Sequence, residues 1–298
     1  MRFVDYFLSI TVSLFLFISC SKDDLDENNI SKKSNIEFKV KSNKQQLIFQ
    51  DLEYGSHFQQ KYDIYKPENS NTITSKVIIL IHGGGWINGD KSNMMNIVSI
   101  IQELNPNHTI VNMNYRLADS SNYAFPNQFN DIKKIINHLS ERKEYFNIIP
   151  EFALIGRSAG GHLALMYDSV YDQQDNVKMV CALAGPSNFS IPFYTENPNF
   201  EYLFNMLVDE SYYQFYPNIL KTLSPFYKIS RNNSPTLLFH GINDETVPFE
   251  NSQTLSAELN NKNIPVKLFK LNEGHASWNQ ESMEKVKINL HYFINEHL

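Results

Sequence analysis

A continuous apolar run, Val77-Ile78-Ile79-Leu80-Ile81, contains no alternating polar positions. This pattern predicts a central strand covered by helices on both faces, because a half-exposed strand would alternate apolar and polar residues. Other runs rich in apolar residues predict further strands at 109–113, 152–155, 179–183, 236–239 and 266–271, and helical patterns lie at 93–104, 126–144 and 283–297. Strands that alternate with helices predict an α/β fold, with a mostly parallel sheet wound on both faces.

Two other regions have different patterns. Residues 36–40, 46–54 and 60–66 alternate apolar and polar positions, which is typical of half-buried antiparallel strands at a sheet edge. The segment at about 188–227 interrupts the strand and helix alternation and is rich in aromatic residues. We expect a small cap there. Its aromatic side chains either line a pocket for an acyl, aromatic or sugar group, or pack the insertion onto the domain.

The N-terminal residues have the features of an export signal. Residues 1–19 carry one early arginine and an apolar run that is too short to span a bilayer, as in a signal peptide. The sequence Leu16-Phe17-Ile18-Ser19-Cys20 resembles a bacterial lipobox, in which cleavage leaves a lipid on Cys20. Residues 20–35 are polar and acidic, which predicts a flexible tether before a single domain at 36–298. We therefore expect an exported lipoprotein anchored at the outer membrane or cell surface.

Composition and charge argue against several classes of protein. The 298 residues include 26 Lys and Arg against 32 Asp and Glu, a net charge of −6, and they form no basic cluster. A nucleic-acid partner is therefore not expected. No spacing of Cys, His or carboxylates resembles a metal or phosphate-loop site, so we predict no metal and no cofactor. Besides Cys20, only Cys181 is present, and no internal disulfide is expected.

The segment Gly156-Arg157-Ser158-Ala159-Gly160 follows a predicted strand and precedes a helical pattern. Glycines two residues before and after the serine suit a tight strand-to-helix turn that presents the hydroxyl outward. At a helix start, the N–H groups of Ser158 and Ala159 are expected to be free and to favour negative charge. The segment therefore predicts a nucleophilic serine beside a site for an oxyanion.

Loops after other predicted strands supply the remaining groups. The run His82-Gly83-Gly84-Gly85 can direct unobstructed N–H groups at one spot, which suits an oxyanion hole, and His82 is expected to brace the loop. Asp244 is the predicted orienting acid and His275 the predicted base, each at the end of a strand. His162 and His240 are expected to be buried and structural.

Several short motifs follow one another along the chain. They are His82-Gly83-Gly84-Gly85-Trp86, Gly89-Asp90-Lys91, Asn114-Tyr115-Arg116-Leu117-Ala118, residues 156–162, Ser224-Pro225, residues 240–248 and Glu273-Gly274-His275. From about residue 54 to the C terminus, the chain resembles the α/β-hydrolase esterase and lipase family that has an HGGG oxyanion motif. Within that family it is most similar to carbohydrate esterases that remove acetyl or feruloyl groups.

The resemblance implies roles for the residues at matching positions. The nucleophile, its acid and its base would be Ser158, Asp244 and His275, in the chain order of α/β-hydrolases. The oxyanion hole would consist of the backbone N–H groups of Gly84, Gly85 and Ala159. Arg157 departs from the acidic residue that many lipases of the hormone-sensitive type carry at this position, and the sequence assigns it no role.

The implied reaction is hydrolysis of a carboxylic ester through an acyl-enzyme, with a glycan or small-molecule ester as the partner. Four alternatives stay open. They are a general carboxylesterase, an arylformamidase-like amidase, a peptidase, and an inactive hydrolase fold that serves as a glycan-binding lipoprotein. The presence of a serine, an acid and a histidine argues against the last, because a binding module does not need all three.

Overall fold

The computed structural model describes residues 46–67, 75–275 and 277–298. The predicted signal peptide at 1–19, the tether with Cys20 at 20–35 and the predicted strand at 36–40 lie outside these residues.

An eight-stranded sheet runs through the described part of the chain. Its strands are β1 Gln46–Glu53, β2 Lys61–Pro67, β3 Ser75–Ile81, β4 Thr109–Met113, β5 Ile148–Arg157, β6 Val177–Leu183, β7 Thr236–Gly241 and β8 Val266–Leu271. Their spatial order is β1-β2-β4-β3-β5-β6-β7-β8. The β1–β2 and β2–β4 pairs are antiparallel, and the other pairs are parallel. The predicted mostly parallel sheet with antiparallel N-terminal strands is confirmed.

Helices cover both faces of this sheet. The α-helices of the described residues are α1 Met95–Leu104, α2 Asn127–Glu141, α3 Lys143–Phe146, α4 Ala159–Met166, α5 Pro192–Thr195, α6 Pro198–Leu207, α7 Glu210–Tyr213, α8 Ile219–Thr222, α9 Glu250–Asn261 and α10 Gln280–His297. Helices α5 to α8 belong to the cap and not to the layers on the sheet. In β3, Ile78 and Leu80 pack with α1 and α10, whereas Ile79 and Ile81 face α2 and α4. Burial on both faces explains the unbroken apolar run.

None of the helices in the described residues has the length and apolar character needed to cross a bilayer.

Helix boundaries differ in three places from the sequence prediction. The last helix, expected at 283–297, begins earlier, at Gln280, because the side chain of Asn279 accepts a hydrogen bond from the N–H of Ser282 and caps it there. The helix expected at 93–104 is preceded by a 3₁₀ turn, Lys91–Met94, because the Asp90 carboxylate accepts a hydrogen bond from the N–H of Ser92 at 2.8 Å and caps that turn. The helix expected at 126–144 divides into α2 and α3 at Arg142, whose φ of −110° and ψ of 20° are not helical.

The segment expected as a cap contains four short helices, α5 to α8. It is joined to the domain through its backbone, since the N–H of Phe125 donates to the carbonyl of Leu207 at 2.9 Å and the N–H of Asp209 donates to the carbonyl of Phe125 at 3.1 Å. Several of its aromatic side chains are buried, Phe189 and Phe204 among them. These residues pack the cap onto the sheet domain.

Candidate active site

Ser158 lies in the turn between β5 and α4, with φ of 52° and ψ of −119°. A non-glycine residue rarely adopts this conformation, which is typical of a serine held on a strained strand-to-helix turn. A Cβ at Gly156 would overlap the carbonyl of Gly160, and a Cβ at Gly160 would overlap the carbonyl of Ile81 in β3. Glycine is therefore required on both sides, and the structure has the tight turn that the sequence predicts.

The hydroxyl of Ser158 is hydrogen-bonded to His275, which lies 117 residues later in the chain. Its Oγ is 2.8 Å from Nε2 of His275, and Nδ1 of His275 is 2.7 Å from Oδ2 of Asp244. The Asp244 side chain is fully buried, whereas that of His275 is 20% exposed. When His275 Nδ1–H donates to Asp244, Nε2 is free to accept the proton of Ser158. The structure therefore brings the three predicted residues into one hydrogen-bonded chain.

Asp244 is held in its ionised form by the groups around it. Its Oδ1 accepts hydrogen bonds from the N–H groups of Thr246 at 2.9 Å and Val247 at 2.8 Å. Burial alone would raise the pKa of Asp244. Hydrogen bonds from His240, His275 and the Val247 N–H outweigh burial and hold this pKa well below its usual value.

His240 is a positioning residue whose contact with the acid the sequence does not reveal. It is fully buried, as predicted, and its Nε2–H donates to the carbonyl of Val247 at 2.8 Å. The same nitrogen lies 3.3 Å from Oδ2 of Asp244, and Nδ1 lies 2.7 Å from Oγ of Ser252. His240 thus fixes the loop that carries Asp244. The sequence does hold one signal for this contact: His240 lies at the end of β7, four residues before Asp244.

The three backbone groups predicted as an oxyanion hole line the same cleft as Ser158. Gly84, Gly85 and Ala159 border this cleft, and among the described residues their N–H groups have no protein acceptor. Gly84 has a φ of 123°, and a Cβ there would overlap the carbonyl of Asn88. A Cβ at Gly83 would lie 3.1 Å from Cβ of Ser158, so the glycine loop lies against the serine. These N–H groups are available for a developing negative charge.

One predicted donor is wrong. The N–H of Ser158 donates to the carbonyl of Leu183 in β6 at 2.8 Å, so it is not free. The reason is geometric: the serine amide still belongs to the end of β5, and the chain leaves the sheet only at the following peptide. Of the two N–H groups proposed from the helix start, Ala159 alone remains available.

His82 braces the glycine loop, as expected. Its ring stacks on that of Tyr115 with 4.2 Å between centroids, and its Nδ1–H donates to the carbonyl of Gly83 at 2.7 Å. The hydroxyl of Tyr115 donates to the carbonyl of His82 at 2.9 Å. Burial lowers the pKa of His82 and favours its neutral form.

His162 connects three parts of the site. It is fully buried on α4, and its Nδ1 accepts a hydrogen bond from the indole N–H of Trp86 in the glycine loop. Its Nε2–H donates to the carbonyl of Leu223, at the end of the cap, at 2.7 Å. The structural role predicted for His162 agrees with this arrangement.

The cleft beside Ser158 has a volume of about 550 Å³. Tyr194, Phe200 and Leu203 of the cap form part of its lining, together with His275 and Trp86. Thus Tyr194 and Phe200 line the cleft, whereas Phe189 and Phe204 pack the cap onto the domain. Among the described residues, no group of His, Cys, Asp and Glu side chains is arranged to hold a metal ion.

Comparison with known proteins places this geometry in a family. The sequence model of the BD-FAE family matches residues 62–259. The chain is 23% identical over 219 residues to esterase LipC of Mycobacterium tuberculosis, an alignment that covers 69% of this chain and 53% of LipC. It is 28% identical over 156 residues to arylacetamide deacetylase of Bos taurus, which covers 49% of this chain and 39% of that protein. The chain thus spans about half the length or less of these curated relatives.

Solved structures share the architecture. A truncated carbohydrate esterase from gut microbiota superposes with a TM-score of 0.64 at 18% identity, over 81% of this chain and 94% of that one. Esterase 2 of Thermogutta terrifontis superposes with a TM-score of 0.67 at 18% identity, over 84% and 94% of the two chains. The family match runs from β2 into α9, over more than half of the chain. This protein therefore has the α/β-hydrolase fold and belongs to the BD-FAE family.

Proposed function

We propose that this protein is a serine esterase that hydrolyses carboxylic esters through an acyl-enzyme. One observation carries the proposal: the continuous hydrogen-bonded chain from Ser158 through His275 to Asp244, which faces the unpaired N–H groups of the glycine loop. A serine, a base and an orienting acid in this geometry are what acyl transfer requires.

In the first half of the reaction, Oγ of Ser158 bonds to the ester carbonyl carbon as Nε2 of His275 takes the hydroxyl proton. The carbonyl electrons move onto oxygen, and the N–H groups of Gly84, Gly85 and Ala159 stabilise that charge. The carbon–oxygen bond to the alcohol then breaks, and the alcohol leaves with the proton from Nε2. The acyl group remains on Ser158, and Asp244 stabilises the positively charged imidazole between these steps.

In the second half, a water molecule loses a proton to Nε2 of His275 while its oxygen attacks the acyl carbon. The bond between that carbon and Oγ of Ser158 breaks. Ser158 regains its proton from His275, and the carboxylic acid leaves. No cofactor is needed for either half.

We propose acetyl or feruloyl esters of a carbohydrate as the substrate class. The proposal is supported by the carbohydrate esterase from gut microbiota that shares the fold, and by aromatic cap residues in the cleft, since aromatic faces suit sugar and phenolic groups. A panel of acetylated xylan, feruloylated oligosaccharides and simple esters tests this class. Hydrolysis of simple esters alone would contradict it.

The esterase assignment is tested by comparing hydrolysis of p-nitrophenyl acetate by the wild type and by Ser158→Ala. We expect the variant to lose all but a residual rate, and a fluorophosphonate probe to label the wild type only. Equal rates of hydrolysis by the wild type and by Ser158→Ala would contradict the assignment as a serine esterase. Cleavage of p-nitroacetanilide in preference to the ester would favour the amidase alternative.

We further propose that the protein is an exported lipoprotein with its lipid on Cys20, at the outer membrane or cell surface. The support is the lipobox-like sequence that ends at Cys20. Metabolic labelling with a palmitate analogue in a Gram-negative host should mark the wild type and not Cys20→Ser. Labelling of both proteins, or of neither, would contradict lipidation at this cysteine.

A further inference from the structure

Arg157, next to the nucleophile, lies half-buried at the edge of an apolar layer. Side chains along a strand alternate between the two faces of a sheet, so Arg157 shares a face with Ala153 and Ile155. Both of these residues belong to the apolar layer formed with α1 and α10. Arg157 thus places a charged group next to this apolar layer, where β5 ends beside the cleft.

Two cavities meet at Arg157. The first is the cleft that contains Ser158, and the second, of about 240 Å³, lies against α1 and α10 and is lined by Ile97, Trp278 and Val286 among others. Arg157 lines both. Within the described residues, no other Lys or Arg and no Asp or Glu lines either cavity.

The guanidinium has no counter-charge in the described part of the chain. No ion pair or side-chain hydrogen bond is formed by Arg157 with any described residue. The carboxylate of Asp244, the acid of the site, already has partners for both oxygens. Burial lowers the pKa of Arg157, so its surroundings disfavour the charge rather than compensate it. Its N–H donors are therefore available to a ligand that enters the cleft.

We infer that Arg157 binds a carboxylate of the substrate, so that the preferred esters carry a negative charge, as an acylated uronic acid does. The inference rests on the proposed esterase function and narrows it. A guanidinium presents a planar set of N–H donors that matches a carboxylate in two parallel hydrogen bonds. Among the described residues that line the cleft, Arg157 and His275 are the side chains that can carry charge, so the guanidinium sets the sign of the preferred substrate.

The test uses two pairs of esters that differ only in charge. Mono-4-nitrophenyl adipate and its methyl ester place the carboxylate on the acyl side, and 3-acetoxybenzoate and its methyl ester place it on the alcohol side. The readout is the ratio of kcat/KM for the anionic member to that for the neutral member. A ratio within one protein sample is insensitive to the fraction of folded enzyme.

We expect the wild type to prefer the anionic ester in at least one pair, and Arg157→Gln to lower that ratio roughly 10- to 100-fold. Arg157→Lys should keep part of the preference, and added salt should weaken it. The control is Lys143→Gln. Lys143 is an exposed lysine at the start of α3, just before the end of β5 that lies opposite Arg157. This variant should leave the ratio unchanged.

An anionic preference that is absent from the wild type, or that survives in Arg157→Gln, would overturn the inference while leaving the esterase assignment intact. A wild type that hydrolyses neither the charged nor the neutral esters would instead contradict the proposed function itself.

Discussion

The indole N–H of Trp86 donates a hydrogen bond to Nδ1 of His162 across 3.3 Å, which joins the glycine loop to the helix behind the nucleophile. Nδ1 can accept this bond only while it carries no proton. Burial lowers the pKa of His162 from its ordinary 6.5 to about 4. The link between loop and helix therefore depends on a neutral imidazole.

The first prediction concerns the dependence of stability on pH. Because the pKa of His162 is lower in the folded than in the unfolded protein, its contribution is fully present above pH 6.5 and is lost as pH falls through about 4. We expect the titration of this histidine to lower the free energy of unfolding by about 3 kcal/mol between pH 7 and pH 4. Urea denaturation at the two pH values measures it.

The matched comparison is His162→Gln, which lacks the titrating group. Other buried histidines, such as His82, titrate in both proteins and cancel in the difference. The variant should be less stable at pH 7 but should lose less stability on acidification. Parallel stability curves for the two proteins would show that His162 does not titrate as the structure indicates.

The second prediction concerns the glycine loop. Gly84→Ala introduces a Cβ that overlaps the carbonyl of Asn88, at a φ of 123° that L residues rarely adopt. We expect kcat to fall by roughly 10² to 10³, the usual cost of one oxyanion donor, with a smaller change in KM. Gly274→Ala is the control, because a Cβ there would contact only the carbonyl of Asn243, at 3.8 Å. Similar losses in both variants would contradict a special role for Gly84.

The third prediction concerns the acid. Asp244→Asn keeps the size of the side chain but presents an amide to His275, which favours the wrong imidazole tautomer. In enzymes with this arrangement the change lowers kcat by about 10⁴. Steady-state kinetics on p-nitrophenyl acetate, with thermal unfolding as a check on folding, measures the loss. Asp175→Asn, at a surface aspartate whose side chain is 80% exposed, should have no effect. A variant Asp244→Asn with nearly normal kcat would exclude Asp244 as the orienting acid.

The fourth prediction concerns the cap. Phe200 lines the cleft, so Phe200→Ala removes an aromatic face that a phenolic acyl group would contact. We expect KM for a feruloyl ester to rise about 5- to 20-fold, and KM for an acetyl ester to change little. Phe215→Ala, at a cap position that is 86% exposed, should leave both values unchanged. An equal rise for both esters in Phe200→Ala would indicate general loosening of the cap instead.

Much of this site could be predicted from sequence because its parts follow buried strands. Ser158, Asp244 and His275 each lie in the turn or loop that follows a predicted strand, and the carboxyl ends of parallel strands meet at one edge of a sheet. This reasoning predicts which residues lie close together at that edge, even when the order of the strands is unknown. It could not foresee that the Ser158 N–H is bound to Leu183, because this depends on the peptide at which the chain leaves the sheet.

Other features depend on tertiary contacts that no local pattern encodes. Helix α9 has no strong apolar periodicity, since Leu255 and Leu259 are its fully buried apolar residues and Asn251 beside them is buried but polar. The Asn251 side chain instead accepts hydrogen bonds from the N–H groups of Ser187 and Asn188. The sequence pattern accordingly predicts no helix there.

The bond from His162 to the carbonyl of Leu223 has a consequence for protein engineering. The cap contributes a backbone acceptor that completes the hydrogen bonding of a buried imidazole beneath the nucleophile helix. A chimera that grafts the cap of another hydrolase onto this sheet would have to supply a carbonyl at the same point, or leave a buried N–H without an acceptor. Substrate range in this scaffold is therefore more readily altered by changing side chains within the cap than by exchanging the cap as a module.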